Sequence, residues 1–319
     1  MDADAIAERF GLGEPLTEPT IAAAGWGERN RVWRLATTTG VFAVKDTHEE
    51  LLPIDIGQAF RIELAAHNAG IPSASPIRSI HDGCYETIDG RWYRCHRWAD
   101  GSVKQNEDTS AGEAHAMGIV VARLHGLAIP ADPSPPAEAF GRGHWLEAAR
   151  LRPHAAWARA IEDHIDNIDA AESRGSSVAQ EAVIGTHRDL NAHNVLFTPD
   201  GPVLIDWDAA GPASVRYERA ATATLWAQRH DGGLDIEVAS AFLRGYIDGG
   251  GVVDRDDAST LPLWLRDVAW WTDRNVKIAI SQPSEHHEHL AALLVKTLAD
   301  GLEAITRRQR LYHAAVASL

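Results

Sequence analysis

Apolar and polar positions change rhythm once along the chain. Up to about residue 97, β-branched and aromatic residues come in short runs separated by turn residues, the pattern of strands. Runs at 31–35 and 41–45 flank Thr38, Thr39 and Gly40 and predict a β-hairpin. A helical stretch over 54–69 stops at Gly70, with Pro72 just beyond. Strand candidates follow at 77–80, 83–88 and 91–96, the last two joined at Asp89-Gly90. Beyond Asp100-Gly101 a helical period takes over, at 109–127, 144–173, 214–230, 234–248, 260–281 and 285–315. One interruption stands out, at 182–208. There two short apolar runs, 194–198 and 202–208, are joined by Pro199-Asp200-Gly201, where Pro sets φ and Gly admits a left-handed residue. The expected fold class is α+β: a small, mostly antiparallel sheet with one helix over 1–97, and a mainly helical part over 98–319 that holds an embedded hairpin.

Composition narrows the function classes. With 319 residues, 45% hydrophobic and 24% charged, the chain is of ordinary globular type and long enough for two lobes with a cleft between them. The acidic start lacks the basic and apolar regions of a signal peptide, and no run of eighteen apolar residues occurs, so the expectation is a cytoplasmic protein without a membrane partner. The formal charge of −15 speaks against nucleic acid, whose phosphates call for clustered Lys and Arg. Residues 98–319 hold 20 basic and 31 acidic side chains, so the helical part carries most of the acidity. Cys84 and Cys95 fit neither a redox pair nor a zinc site and read as free thiols.

The chemistry concentrates in His187-Arg188-Asp189-Leu190-Asn191-Ala192-His193-Asn194 and in Ile205-Asp206-Trp207-Asp208 on the returning strand. Phosphoryl transfer is mostly positioning and charge neutralisation; it needs a carboxylate near the attacking hydroxyl and oxygen ligands for a metal. The hairpin supplies both, because Asp189, Asn194 and Asp206 converge at one of its ends. Such oxygen ligands suit Mg²⁺ rather than zinc. The string matches H-R-D-L-x-x-x-N without a gap.

On these residues the chain resembles the aminoglycoside phosphotransferase and choline kinase superfamily, distant relatives of the protein kinases. The resemblance implies a protein-kinase-like two-lobed fold, with ATP and Mg²⁺ as cofactors. It gives Asp189 the part of catalytic base and makes Asn194 and Asp206 metal ligands. Lys45, closing Val41-Phe-Ala-Val, resembles the strand lysine that contacts the α- and β-phosphates, and Glu63 on the following helix stands where family members carry its partner. By position in the family, adenine meets backbone groups at about Cys95, His96 and Arg97. Gly25 and Gly27 let the backbone approach phosphate, or form a simple hairpin turn.

The protein kinases' long activation segment is missing, since a helical pattern resumes by about residue 214; a protein substrate is therefore not expected. Arg188 then has no loop phosphate to bind and reads as a structural ion-pair former, and His125 as structural. Asp208, Trp271, Asp273 and Asn275 are candidates for the acceptor site. The acidic helical part favours a cationic, aminoglycoside-like or other antibiotic acceptor. Amino sugars, other sugars, choline-like amino alcohols and homoserine are the metabolite alternatives, and a nucleotide-binding module without catalysis is the alternative of another class.

Overall fold

The computed structural model describes residues 1–24, 30–47, 55–132, 139–178 and 182–319. Its first helix, α1 (Ala3–Phe10), starts at Asp2, whose side chain accepts from the Ala5 N–H, and stops at Gly11 with φ 62°. The sheet is built from β1 (Thr20–Ala24), β2 (Asn30–Thr37) and β3 (Gly40–Thr47). After α2 (Ile56–Asn68) come β4 (Pro76–Ile77), β5 (Glu86–Ile88) and β6 (Arg91–Arg97). Its order is β1-β2-β3-β6-β4, all antiparallel, with β5 also on β6. Asp89 (φ 50°) and Gly90 (φ 73°) supply the two left-handed residues that a tight hairpin between β5 and β6 needs. Strand alternation sends Leu35, Phe42, Val44, Tyr93 and Cys95 to one face, where they bury Ile6, Phe10 and Leu12 of the α1 segment in a small core. The opposite face carries Lys45 and Arg94, directly across from one another in the register.

The rest is helical. It comprises α3 (Ala111–Gly126), α4 (Gly141–Leu151), α5 (Ala156–Ser176), α6 (Val215–Trp226), α7 (Ile236–Asp248), α8 (Leu263–Ser281), α9 (Glu285–Ala299) and α10 (Gly301–Ala317). Between α5 and α6 lie β7 (Ile184–Thr186), the hairpin β8 (Val195–Thr198) and β9 (Gly201–Leu204), and β10 (Gly211–Ala213), which pairs with β7. The stretch 144–173, read as one helix, is two, broken at Arg152 and Pro153, since proline has no N–H to continue the ladder. The stretch 285–315 is likewise two helices that meet at Asp300.

Helix α2 stands between β3 and β4 in sequence, yet its small apolar side chains pack with the other lobe. Ala59, Ile62 and Ala66 belong to the same buried cluster as Met117, Leu124, Leu204 and Trp207. Leu204 ties the two lobes further: its N–H donates to the Pro72 carbonyl at 2.9 Å, and its own carbonyl accepts from the Ala74 N–H at 3.1 Å.

Helices α3 and α7 approach backbone to backbone through glycines. A Cβ on Gly245 would fall 1.9 Å from the His115 carbonyl oxygen, and one on Gly118 would fall 2.1 Å from that of Phe242. Neither neighbour can move without dragging its helix. Gly245→Ala is therefore expected to destabilise the fold by about 3 kcal/mol, at the upper end of overpacking changes, read as a lower urea midpoint; an unchanged midpoint would show that the helices can separate freely.

Candidate active site

The loop after β7 is fixed from several sides before any ligand is considered. Buried His187 donates from Nε2 to the Ile205 carbonyl at 2.9 Å and accepts the Asp189 N–H at Nδ1, 3.3 Å away. Trp226 Nε1 donates to the Leu190 carbonyl at 2.8 Å. Asn106 accepts the Ala192 N–H at 2.9 Å and donates to Asn191 Oδ1 at 3.2 Å. Arg188 is forced into the left-handed region, φ 66°, and its N–H donates to Glu218 Oε1 at 2.6 Å. Glu218, buried on α6, also accepts from Thr186 Oγ1 and faces His125 Nε2 at 2.7 Å. His125 in turn faces Tyr246 Oη at 2.8 Å and is a structural residue in the helical core. Burial pushes the Glu218 carboxyl up, but the hydrogen bonds from His125 and Thr186 outweigh it, and its pKa is lowered.

Held in this way, Asp189 presents a carboxylate whose two oxygens are already oriented. Oδ1 accepts from the Asn191 amide and Oδ2 from Asn194 Nδ2 at 2.8 Å. With its nitrogen engaged by Asp189, the Asn194 amide has its oxygen left for a cation. The Asn194 carbonyl accepts the Ile205 N–H at 3.0 Å, which brings the end of β9 alongside. There Asp206 adopts φ 60°, ψ 62°, a costly conformation for a residue with a side chain. Its carboxylate is 42% exposed and receives Lys45 Nζ at 2.7 Å.

Donor chemistry fits the implied metal. Mg²⁺ is commonly held by one or two protein oxygens together with phosphates and water, and Asp206 with the Asn194 amide oxygen offers that set. Among the described residues no group of three or more His, Cys, Asp or Glu side chains forms a cage of the kind zinc or calcium would use.

The structure redistributes the other expected residues. Lys45 does not pair with Glu63. Its ammonium lies between Asp206 and Asp208, at 2.7 and 2.6 Å. Burial pulls the lysine pKa down, yet the two carboxylates more than offset it, so the group stays firmly protonated. Glu63, fully buried, is taken by Arg94 at 2.6 Å and by His96 at 2.8 Å, because those two side chains alternate onto its face of β6. Asp208, a candidate for the acceptor site, turns instead towards the sheet, between Lys45 and Arg94. Burial raises its pKa, but these two cations overcome the effect and lower it.

The backbone of Cys95, His96 and Arg97 is engaged in the ladders with β3 and β4. Trp98 N–H still reaches the Val41 carbonyl, so the first stretch past the strand outside the ladder is 99–101. Gly25 and Gly27 lie outside the described residues.

On α8, Asp273 is held by His144 and Lys277, both at 2.7 Å; Trp271 is 48% exposed; and Asn275 bonds its own helix at the Trp271 carbonyl. Another carboxylate of α8, Asp267, faces α6. It accepts from Tyr217 Oη at 2.8 Å; burial raises its pKa against that hydrogen bond and the Arg188 charge. Arg188 itself forms no ion pair within 4 Å among the described residues, contrary to the expectation. Its guanidinium lies over Gly211, 3.0 Å from where a Cβ would stand. Neither Arg94 nor Asp267 carries a motif, and only strand register and helix packing reveal them.

A family model described as phosphotransferase enzyme family matches residues 20–258. The chain belongs to this family. As a member it is a phosphotransferase that acts on the hydroxyl group of a small molecule. Among related sequences, a homoserine kinase from Caulobacter sp. (strain K31) is 28% identical over 247 residues, covering 74% of this chain and 73% of its own. Solved structures share the fold at low identity. A spectinomycin phosphotransferase in complex with ADP and spectinomycin superposes with TM-score 0.67 at 13% identity, over 98% of this chain and 97% of that one. An amicoumacin kinase bound to AMP-PNP and Ca²⁺ gives 0.62 at 15%, over 93% and 92%. A choline/ethanolamine kinase family protein from Mesorhizobium loti gives 0.58 at 13%, over 98% of each chain. The kinase-like fold expected from the sequence is the fold found. Among the described residues, no helix of this phosphotransferase is long and apolar enough to cross a membrane.

Proposed function

We propose that the protein transfers the γ-phosphate of ATP to a hydroxyl of a polar, cationic small molecule, with Mg²⁺ as the metal. The observation that carries this reading is the Asp189 carboxylate, fixed by two amides beside the Asp206 and Lys45 pair. Asp189 orients the acceptor hydroxyl and takes its proton as the new O–P bond forms and the bond to ADP breaks. Lys45 neutralises phosphate oxygens, and Asn194 and Asp206 would hold the metal. Mg²⁺, when bound, draws off phosphate charge and keeps the reacting groups in line. The four residues together argue for an enzyme over a silent nucleotide-binding module.

Two observations favour a cationic acceptor. The helical part is strongly acidic, and such a field draws cations to a cleft. Asp267 on α8, which accepts from Tyr217 Oη, is a further carboxylate of that part within range of the Arg188 charge. Two of the fold neighbours are named for spectinomycin and for choline or ethanolamine. We read the acceptor as an aminoglycoside-like or other antibiotic, in a cytoplasmic resistance role. The homoserine kinase relative favours a second reading, an amino-alcohol metabolite such as homoserine.

Mass spectrometry decides between them. The protein is incubated with ATP and Mg²⁺ and a panel of aminoglycosides, peptide antibiotics, sugars, amino alcohols and homoserine. A product heavier by one phosphoryl group on an antibiotic is the expected result, the same gain on homoserine alone supports the second reading, and ATP left intact with every acceptor would overturn both.

A further inference from the structure

Lys45 and Arg94 face each other across β3 and β6 on one face of the sheet, and both are nearly buried, at 12% and 5% side-chain exposure. Like charges directly opposite repel, so this arrangement needs an anion between them. Asp208 is that anion. One of its oxygens accepts from Lys45 at 2.6 Å and the other from Arg94. The second arm of Arg94 goes to Glu63 at 2.6 Å, whose remaining oxygen meets His96 at 2.8 Å. The buried chain therefore runs from His96 through Glu63, Arg94 and Asp208 to Lys45. Glu63 reaches Lys45 only through two intermediaries. Of the two carboxylates that touch the lysine, Asp206 is the more exposed; Asp208 is half as open, at 21%, and tied to a second cation.

We infer that Asp208, anchored by Arg94, is the positioning residue for Lys45: Asp208 and not Glu63 aims the ammonium at the nucleotide phosphates. Asp206 is then free to turn to the metal without releasing the lysine, because Asp208 keeps its hold. Glu63 and His96 act one step back, fixing the fork of Arg94. A guanidinium suits this place, since it bridges two carboxylates in a fixed plane as an ammonium cannot. The assignment rests on the phosphotransferase reading above.

The test is titration calorimetry of the full chain with AMP-PNP, once with Mg²⁺ and once in EDTA, so that no acceptor is needed. Asp208→Asn is expected to weaken binding about tenfold in both conditions, and the loss is expected to vanish when Lys45 is already alanine. Arg94→Lys should reproduce it. Asp206→Asn should instead lose only the part of the affinity that Mg²⁺ adds. If Asp208→Asn loses only that part, Asp208 is a metal ligand and the inference fails. If it changes neither affinity, or if its effect adds fully to that of Lys45→Ala, the inference fails as well. Should Asp208→Asn not fold, Asp208→Glu keeps the charge but not the bridge and is expected to weaken AMP-PNP binding about threefold; wild-type affinity in that variant overturns the assignment. Wild-type protein that binds no AMP-PNP in either condition would sink the phosphotransferase reading too, an outcome distinct from any variant result.

Discussion

Asp189→Ala is expected to lower the turnover of phosphoryl transfer about a thousandfold while leaving Mg·AMP-PNP affinity within about twofold of wild type. The asymmetry follows from what the carboxylate touches. Both its oxygens face the Asn191 and Asn194 amides, and it makes no contact with Lys45, whose partners are Asp206 and Asp208. On the proposed mechanism its contribution arises when the acceptor hydroxyl loses its proton, in the transition state, and not when nucleotide is held. Single-turnover kinetics with the acceptor found by mass spectrometry, beside calorimetry with AMP-PNP, separates the two quantities. Transfer at near wild-type rate in Asp189→Ala would remove this residue from the mechanism, and a large loss of nucleotide affinity would mean that the loop had collapsed.

Glu218→Ala is expected to be among the most damaging single changes outside the reacting groups, lowering stability by about 3–5 kcal/mol. One buried carboxylate serves Thr186, the Arg188 N–H and His125. Its removal strands these partners away from water, each loss typically about 1–3 kcal/mol. The Arg188 backbone, left-handed at φ 66°, also loses the contact that holds it there. Urea unfolding reads the effect as a shifted midpoint at constant slope. Glu218→Gln keeps the shape but weakens the acceptor, so a smaller loss is expected. The pKa of Glu218 is lowered in the fold, so its contribution is complete above the ordinary carboxylate range and disappears as pH falls through the lower folded value. A Glu218→Ala midpoint equal to wild type would show that water replaces the carboxylate.

Local signals account for much that was legible in advance. The hairpins at Thr38-Thr39 and at Asp89-Gly90, the stop at Gly70 and the turn at Pro199-Asp200-Gly201 depend on residues adjacent in sequence, and the structure carries all of them. Strand β1 was not legible, because Thr20-Ile-Ala-Ala-Ala has too little contrast between its faces to show a period of two. The break at Pro153 did carry a signal, which the strong apolar period on both sides obscured.

At the site, Asp189, Asn194 and Asp206 lie close in sequence on one hairpin, so their convergence follows from the turn. The partners of Lys45 and Glu63 do not follow from any spacing. They depend on Arg94 lying opposite Lys45 in the register and on residues 206–208 turning under the sheet. The choice between Glu63 and Asp208 is a contest among buried charges: Arg94, opposite Lys45, takes Glu63 with one arm and Asp208 with the other.

Protein kinases are switched by moving the helix that bears the glutamate corresponding to Glu63. Here that helix, α2, is moored on the far lobe: Ala59, Ile62 and Ala66 are sealed in the cluster that also holds Trp207 and Leu204. To swing it outward would bare those side chains to water, at about 25 cal/mol for each Å² exposed, and would pull a buried carboxylate from Arg94 and His96. The helix is thus part of the chassis and not a lever. A switch that worked by moving this helix would have to break the core of the far lobe first.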